Sequence, residues 1–287
     1  MSSSSDFLKD YELAEPTIRG LYDSKLRLAI IDALKDGPMR LADLRRVVGS
    51  NAPNTSTKAK DLENLGIIER VDGDFQLTPY GKAVRQRAQE SFEFYATYAK
   101  FKEFWKNHDT SGIPEHLWMR IGELNNSVLV RDTTTNVTES HDKFVDLLGT
   151  IKQKFYGISP IYHDEYMEML LAAINKGANV KIITNREILN LLKTIRINLK
   201  KDLRKVSNRV EWLVYEKHLS VAYTVSEGFS SLALGNKNDP THYLDMDLQS
   251  TDPRAIKWGL DLFEYYKKQA KPIKLSDYLQ PRLRTAD

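Results

Sequence analysis

The sequence predicts an α+β chain of two domains, a helical head that ends in a β-hairpin and an α/β layered body behind it. Three observations carry this expectation. At 287 residues the chain is longer than one hydrophobic core commonly organises. Its first third reads as three amphipathic helices followed by two short alternating runs around an Asp-Gly pair. From about residue 126, strand-like and helix-like segments alternate, which is the pattern of a layered domain.

Composition narrows the function classes. With 41% hydrophobic and 28% charged residues the chain is ordinarily globular. No apolar run approaches the roughly 18–20 residues that a membrane span needs. Residues 1–6 are serine-rich without the basic and apolar regions of a secretory signal, so residues 1–20 are expected to form a flexible arm and the location to be cytoplasmic. The absence of cysteine excludes disulfides, thiolate zinc sites and cysteine nucleophiles. Six histidines lie scattered at spacings that match no metal motif, so no metal or other cofactor is expected. A net charge of +3 does not by itself indicate nucleic-acid binding.

The head is expected over residues 21–88. Leu26, Ala29, Ile30, Ala33 and Leu34 recur at helical spacing, Ser24 is placed to cap them, and Gly37-Pro38 stops the run. A second helix carries Leu41, Leu44 and Val47/Val48 inward and ends at Gly49. A third spans about residues 53–65 with Ala59, Leu62 and Leu65 inward, Pro53 just inside its start and Gly66 just past its end. Residues 67–70 and 75–78 flank Asp72-Gly73-Asp74 as a hairpin, and Pro79-Tyr80-Gly81 opens a further helix. This order is the winged helix-turn-helix plan.

The run Leu62-Glu63-Asn64-Leu65-Gly66-Ile67-Ile68-Glu69-Arg70, followed by Phe75-Gln76-Leu77-Thr78-Pro79-Tyr80-Gly81, resembles the recognition-helix end and wing of ArsR-like prokaryotic and archaeal regulators over residues 24–85. The residues themselves agree with double-stranded DNA as a partner. Asn54, Thr55, Ser56, Thr57, Lys58 and Lys60 are the outward positions expected on the third helix, small or basic groups able to approach base edges and phosphates. Arg45 and Arg46 on the second helix and Arg70 on the wing suit phosphate contacts.

A connecting helix and hinge are expected over residues 89–125. Two aromatic stripes, one through Phe92 and Tyr95 and one through Phe94, Tyr98, Phe101 and Trp105, call for cover on two sides, which favours a homodimer; Gly112 and Pro114 mark a hinge over 108–114. The body is expected over 126–275, with a tail over 276–287. Its strands are expected at 126–131, 155–159, 180–184, 210–215, 219–225 and 229–234, with a polar connection over 132–136. Helices are expected at 141–154, 163–176, 187–203 and 254–268.

Gly177-Ala178-Asn179-Val180-Lys181-Ile182-Ile183-Thr184 and Ser231-Leu232-Ala233-Leu234-Gly235 resemble one half of the phospholipase D fold. That chemistry needs a His-x-Lys-x4-Asp run, with histidine as nucleophile and lysine on phosphate. Counted from His218 the two partners are Ser220 and Val225, so the resemblance does not imply hydrolysis and no enzyme is expected. Head and body together, with the ending from Asp252-Pro253-Arg254 through Trp258-Gly259-Leu260 to Tyr265-Tyr266, resemble the archaeal methanogenesis-regulator family over about residues 20–270. The resemblance implies a methanogen transcription factor.

In open α/β sheets, ligands favour the carboxyl ends of parallel strands. Ser159, Tyr162 and His163, then Thr184, Asn185 and Arg186, then Glu216, Lys217 and His218 stand at such ends and would suit a small anionic effector. The alternative is that they cap helices and solvate loops. A basic run of Lys193, Arg196, Lys200, Lys201, Arg204, Lys205 and Arg209 reads either as a solvated face or as extra backbone contact to DNA. The leading expectation is therefore a dimeric DNA-binding regulator with an effector domain. The alternatives are a winged-helix protein-interaction scaffold and a degenerate phosphodiesterase.

Overall fold

In the computed structural model the described residues are 4–133, 135, 138–238 and 245–279. The chain divides into two compact units, Met1–Phe92 and Glu93–Asp287. Unit 1 holds α1 (Ser4–Tyr22), α2 (Lys25–Ala33), α3 (Leu41–Val48), α4 (Ala52–Asn64), β1 (Ile68–Val71), β2 (Asp74–Leu77) and the start of α5 (Pro79–Lys100). The local chemistry explains the boundaries. Ser24 caps α2 by accepting from the Arg27 N–H at 3.3 Å, and Asn51 caps α4 by accepting from the Asn54 N–H at 2.9 Å. Between β1 and β2 the turn runs through Asp72 at φ 51° and Gly73 at φ 90°. Two successive positive φ angles make the tight hairpin turn that Asp-Gly favours. Met39 exchanges backbone hydrogen bonds with Phe75 at 2.9 and 2.8 Å, which pins the hairpin to the segment after α2. Leu21, Ile30, Leu44, Leu62, Ile67 and Phe75 fill the core of this unit.

Residues 4–22 are helical, where a flexible arm was expected. The serine-rich start is a weak helix former, but Leu21 is buried in the unit 1 core and Gly20 lies so close to Leu65 that an added Cβ would meet its Cδ1 at 2.7 Å. Docking at one end sustains a helix that propensity alone would not.

Unit 2 contains the end of α5, α6 (Lys102–Asn107), α7 (Glu115–Trp118), β3 (Val128–Arg131), α8 (Glu139–Gly149), β4 (Lys154–Ser159), α9 (Asp164–Asn175), β5 (Asn179–Thr184), α10 (Arg186–Leu191) and α11 (Ile197–Val206). It continues with β6 (Val210–Val214), β7 (Val221–Ser226), β8 (Ser230–Leu234), β9 (Met246–Ser250), α12 (Pro253–Lys267) and β10 (Lys271–Ile273). Eight strands form one sheet in the order β10-β6-β5-β4-β7-β8-β9-β3. Only β4, β5 and β6 run parallel; every other pairing is antiparallel. One sheet face packs Ile158, Ile183, Tyr223, Val225 and Leu232 against Trp258, Leu262 and Phe263 of α12. The other packs Phe155, Val180, Ile182 and Trp212 against α8, α9 and α11. A sheet covered on both faces explains the near-continuous apolar run of β5.

Three expectations about this unit change. The single helix over 187–203 is two, because the chain turns at 192–196, where the Thr194 hydroxyl donates back to the Leu191 carbonyl at 2.8 Å. The segment 108–114, expected as a hinge, is held within unit 2: His108 is fully buried, the Asp109 N–H donates to Gly235 O, and the Tyr266 hydroxyl donates to Gly112 O at 2.7 Å. β9 and β10 were not foreseen. Parts of the 132–136 connection and of the 276–287 tail lie outside the described residues.

Candidate nucleic-acid face and ligand chamber

In unit 1, α3 ends at Gly49 in the left-handed region (φ 64°), and α4 starts three residues later. α4 buries Thr55, Ala59 and Leu62, a stripe at i, i+4 and i+7. Thr55 therefore points inward, contrary to expectation, and its hydroxyl donates to Asn51 O at 2.8 Å. The opposite face carries exposed Asn54, Ser56, Thr57, Lys60 and Asn64. Lys58 is half-buried and reaches Asp61 at 3.4 Å. Asn64, one turn beyond Lys60, was missed, although its spacing placed it there.

The expected phosphate contacts are unevenly free. Arg45 is exposed on α3, whereas Arg46 is paired with Asp43. On the hairpin, the Arg70 guanidinium lies 4.3 Å from the Phe75 ring centroid and 3.8 Å from Glu63. With Glu69, Asp72 and Asp74 on the same hairpin as Arg70, residues 68–77 carry a net charge of −2, so the hairpin brings no net positive charge. The cationic character of this face rests on Arg45 and Lys60.

In unit 2 a small chamber of about 80 Å³ lies between the sheet and the α8–α9 layer. Its floor is made by alternate strand positions that are small or polar: Gly157 and Ser159, Ala222 and Thr224, Ser231 and Ala233, and Asp247. Ala222 and Ala233 are register partners across β7 and β8. Its roof is Ser140, Phe144 and Leu148 from α8 and Tyr166, Met167 and Leu170 from α9. Small floor residues beneath bulky roof residues leave space that the backbone spacing would otherwise fill.

Asp247 is the charged group of this space. One carboxylate oxygen accepts from the Ser231 hydroxyl at 2.6 Å and the Gln249 amide at 2.8 Å. The other, Oδ1, is buried with no hydrogen-bond partner among the described residues. Burial pushes its pKa up, against the lowering effect of Ser231 and Gln249. Burial likewise raises Tyr166, whose hydroxyl lies 3.0 Å from His141 Nδ1.

Of the residues expected to hold an effector, only Ser159 lines the chamber. The others are occupied locally or exposed. Thr184 donates to Ser159 O at 2.7 Å, and Asn185 caps α10 by accepting from the Ile188 N–H at 2.9 Å. Arg186 forms a two-pronged pair with Glu216 at 3.0 and 2.6 Å, which neutralises the cation an anionic effector would need. Tyr162 donates to Asp164, Lys217 and His218 are exposed, and His163 stands beside His141. The basic run is also largely engaged: Arg196 pairs with Asp164 and Glu168, Lys205 with Asp202, and Arg204 and Arg209 donate to Leu279 O and Ile174 O. At the positions a phospholipase D reaction would need, Ser220 is hydrogen-bonded to Ser111 and Val225 is in the core.

A helical unit with a hairpin, followed by a doubly covered mixed sheet that holds a chamber, defines a two-domain α+β protein. Residues 15–92 match the family model of the N-terminal domain of methanogenesis regulatory protein FilR1, and residues 137–269 match that of its middle domain. It is 26% identical over 260 residues to "Methanogenesis regulatory protein FilR1" of Methanothrix harundinacea (strain 6Ac), covering 88% of this chain and 57% of that protein. The chain thus spans little more than half the length of that relative. Among solved structures it is similar to TrmBL2, described as an archaeal chromatin protein with a novel mode of DNA binding (17% identity, 89% of this chain and 97% of that one, TM-score 0.42). It is also similar to Nuc, a phospholipase D family member from Salmonella typhimurium (11% identity, 52% and 97%, TM-score 0.39). Superpositions this loose carry no argument. No helix among the described residues is long and apolar enough to cross a membrane.

Proposed function

We propose that the chain is a cytoplasmic transcription regulator that reads double-stranded DNA with α4 of a winged helix-turn-helix and senses a small molecule in the unit 2 chamber. The observation that carries the reading is the exposed stripe of Asn54, Ser56, Thr57, Lys60 and Asn64 on the second helix of a helix-turn-helix. The FilR1 domains found in both units support it. Amide and hydroxyl groups read base edges, and Arg45 and Lys60 meet phosphates. An effector for this chamber has a mostly apolar body and one hydrogen-bond donor or cation to meet Asp247. That replaces the small anion expected from the strand ends. The reading includes a homodimer, since α5 leaves Phe92, Tyr95 and Tyr98 exposed at 43, 67 and 41%. Hydrolysis has no place in it, because Ser220 and Val225 stand where lysine and aspartate would be required.

Fluorescence anisotropy against the chain's own upstream DNA and a scrambled duplex, titrated with salt, tests the reading. Specific binding should weaken with salt, and Lys60→Ala should flatten the log–log slope by about one unit per protomer bound. Equal, salt-insensitive binding of both duplexes, or none at low salt, would favour the protein-interaction scaffold instead.

A further inference from the structure

Spacing along the chain gave no metal motif, yet the fold gathers two of the six histidines. His141 sits in the first turn of α8, His163 is the N-cap of α9, and Glu165 follows two residues later. One donor atom from each lies within 4.8 Å of the others. His141 Nε2 is 2.9 Å from a Glu165 carboxylate oxygen, and the two imidazole centroids are 4.5 Å apart. His163 Nδ1 is buried and has no hydrogen-bond partner among the described residues. A buried ring nitrogen without a partner is costly unless something occupies it.

We infer that His141, His163 and Glu165 form a binding site for a first-row divalent transition-metal ion, with zinc as the commonest fit. Two imidazoles and a carboxylate make the donor set that such ions favour over magnesium or calcium. Ligands about 2.1 Å from a common ion lie at most about 4.2 Å apart, so small side-chain rotations close the site. Beside the Glu165 carboxylate, which can only accept, His141 carries its proton on Nε2, and an ion bound there would move that proton to Nδ1. With Nε2 left as the ligand, Nδ1–H donates to the Tyr166 hydroxyl at 3.0 Å, the outer hydrogen bond that orients metal-bound histidines. Arg196 is held by two other α9 carboxylates, Asp164 at 2.7 Å and Glu168 at 2.9 Å. Three protein ligands leave at least one coordination position for water or an added ligand. Tyr166 both lines the chamber and touches His141, so the ion would stand beside the chamber roof.

The test needs neither DNA nor effector, so its failure is separate from failure of the regulator reading. Tag-free full-length protein, stripped with chelator, is titrated with Co²⁺ followed by visible d–d absorption and with Zn²⁺ followed by calorimetry. One equivalent should bind saturably. His163→Gln and Glu165→Gln should each weaken binding by about tenfold or more, Tyr166→Phe should weaken it to a smaller extent, and exposed His116→Gln should leave it unchanged. Tryptophan fluorescence checks that each variant is folded, and either ligand variant that folds is sufficient to decide. Absence of saturable binding up to about 0.1 mM metal, or one-equivalent binding retained in the folded ligand variants, would overturn the inference.

Discussion

Replacing Asp247 with asparagine should stabilise unit 2 at neutral pH and leave it unchanged in acid. The carboxylate is buried, two donors serve one of its oxygens, and its Oδ1 meets none among the described residues. An oxygen left in that state costs about 1–3 kcal/mol. Asparagine keeps an oxygen for Ser231 and Gln249 and removes the charge, so a net gain of about 1–2 kcal/mol at pH 7.5 is expected after allowing for the new amide hydrogens. For a domain of about 200 residues that raises the melting temperature by about 2–8 °C. The pH dependence follows from the direction of the shift. The folded pKa of Asp247 is raised above its unfolded value of about 3.9, so the folded state holds its proton longer than the unfolded state. The wild-type chain is therefore unpenalised below about pH 4 and loses stability as pH rises toward the folded pKa. Tyr166 and Tyr223 are titratable groups near this carboxylate, and both stay protonated across that window. All four tryptophans, Trp105, Trp118, Trp212 and Trp258, lie in unit 2, so urea unfolding followed by tryptophan fluorescence reports this unit alone. Protein refolded from denaturant removes any co-purified ligand. Equal destabilisation of the variant at pH 7.5 and pH 4 would refute the reasoning, because Asp247 would then be a satisfied hydrogen-bond hub.

Two further substitutions test the packing that underlies each unit. A Cβ at Gly81 would meet the Ile67 carbonyl oxygen at 1.8 Å, so Gly81→Ala should destabilise unit 1 by about 1–3 kcal/mol, read as weakened DNA binding with unchanged tryptophan fluorescence. Ala233→Leu should fill the chamber floor, lower the affinity of a small neutral aromatic N–H probe such as indole by about fivefold, roughly 1 kcal/mol, and leave the urea midpoint nearly unchanged.

Much of the fold was legible where local chemistry and tertiary packing agree. The Asp72-Gly73 turn fixes the hairpin, Pro53 marks the start of α4, and the apolar run of β5 marks a doubly covered strand. Legibility fails where packing overrides local pattern. β9 hides because only Met246 and Leu248 of its five residues are apolar, and β10 is a three-residue edge strand that contains Pro272. The chamber was written in the sequence but in a finer alternation than the one used to find strands. Along β7 and β8 one face reads Val221, Tyr223, Val225, Leu232 and Leu234, while the other reads Ala222, Thr224, Ser231 and Ala233. In a sheet covered on both sides, a face of small and polar residues signals either a second close-packed sheet or a cavity.

The candidate site was less legible, because its residues converge through topology and not through spacing. A search for linear patterns led to His218, which is exposed, and to strand ends whose polar groups cap helices or pair with each other. The histidines that do meet lie on two helices joined by β4, and no spacing rule anticipates their meeting. One element then links everything of interest in this unit. α9 supplies Tyr166, Met167 and Leu170 to the chamber roof and Glu165 to the histidine cluster, and His163 caps it. A ligand that displaces the Tyr166 ring also removes the hydrogen bond to His141 Nδ1. For such a ligand, occupancy of the chamber and occupancy of the proposed metal site would be coupled through a single side chain, and by thermodynamic linkage each would change the affinity of the other by the same factor.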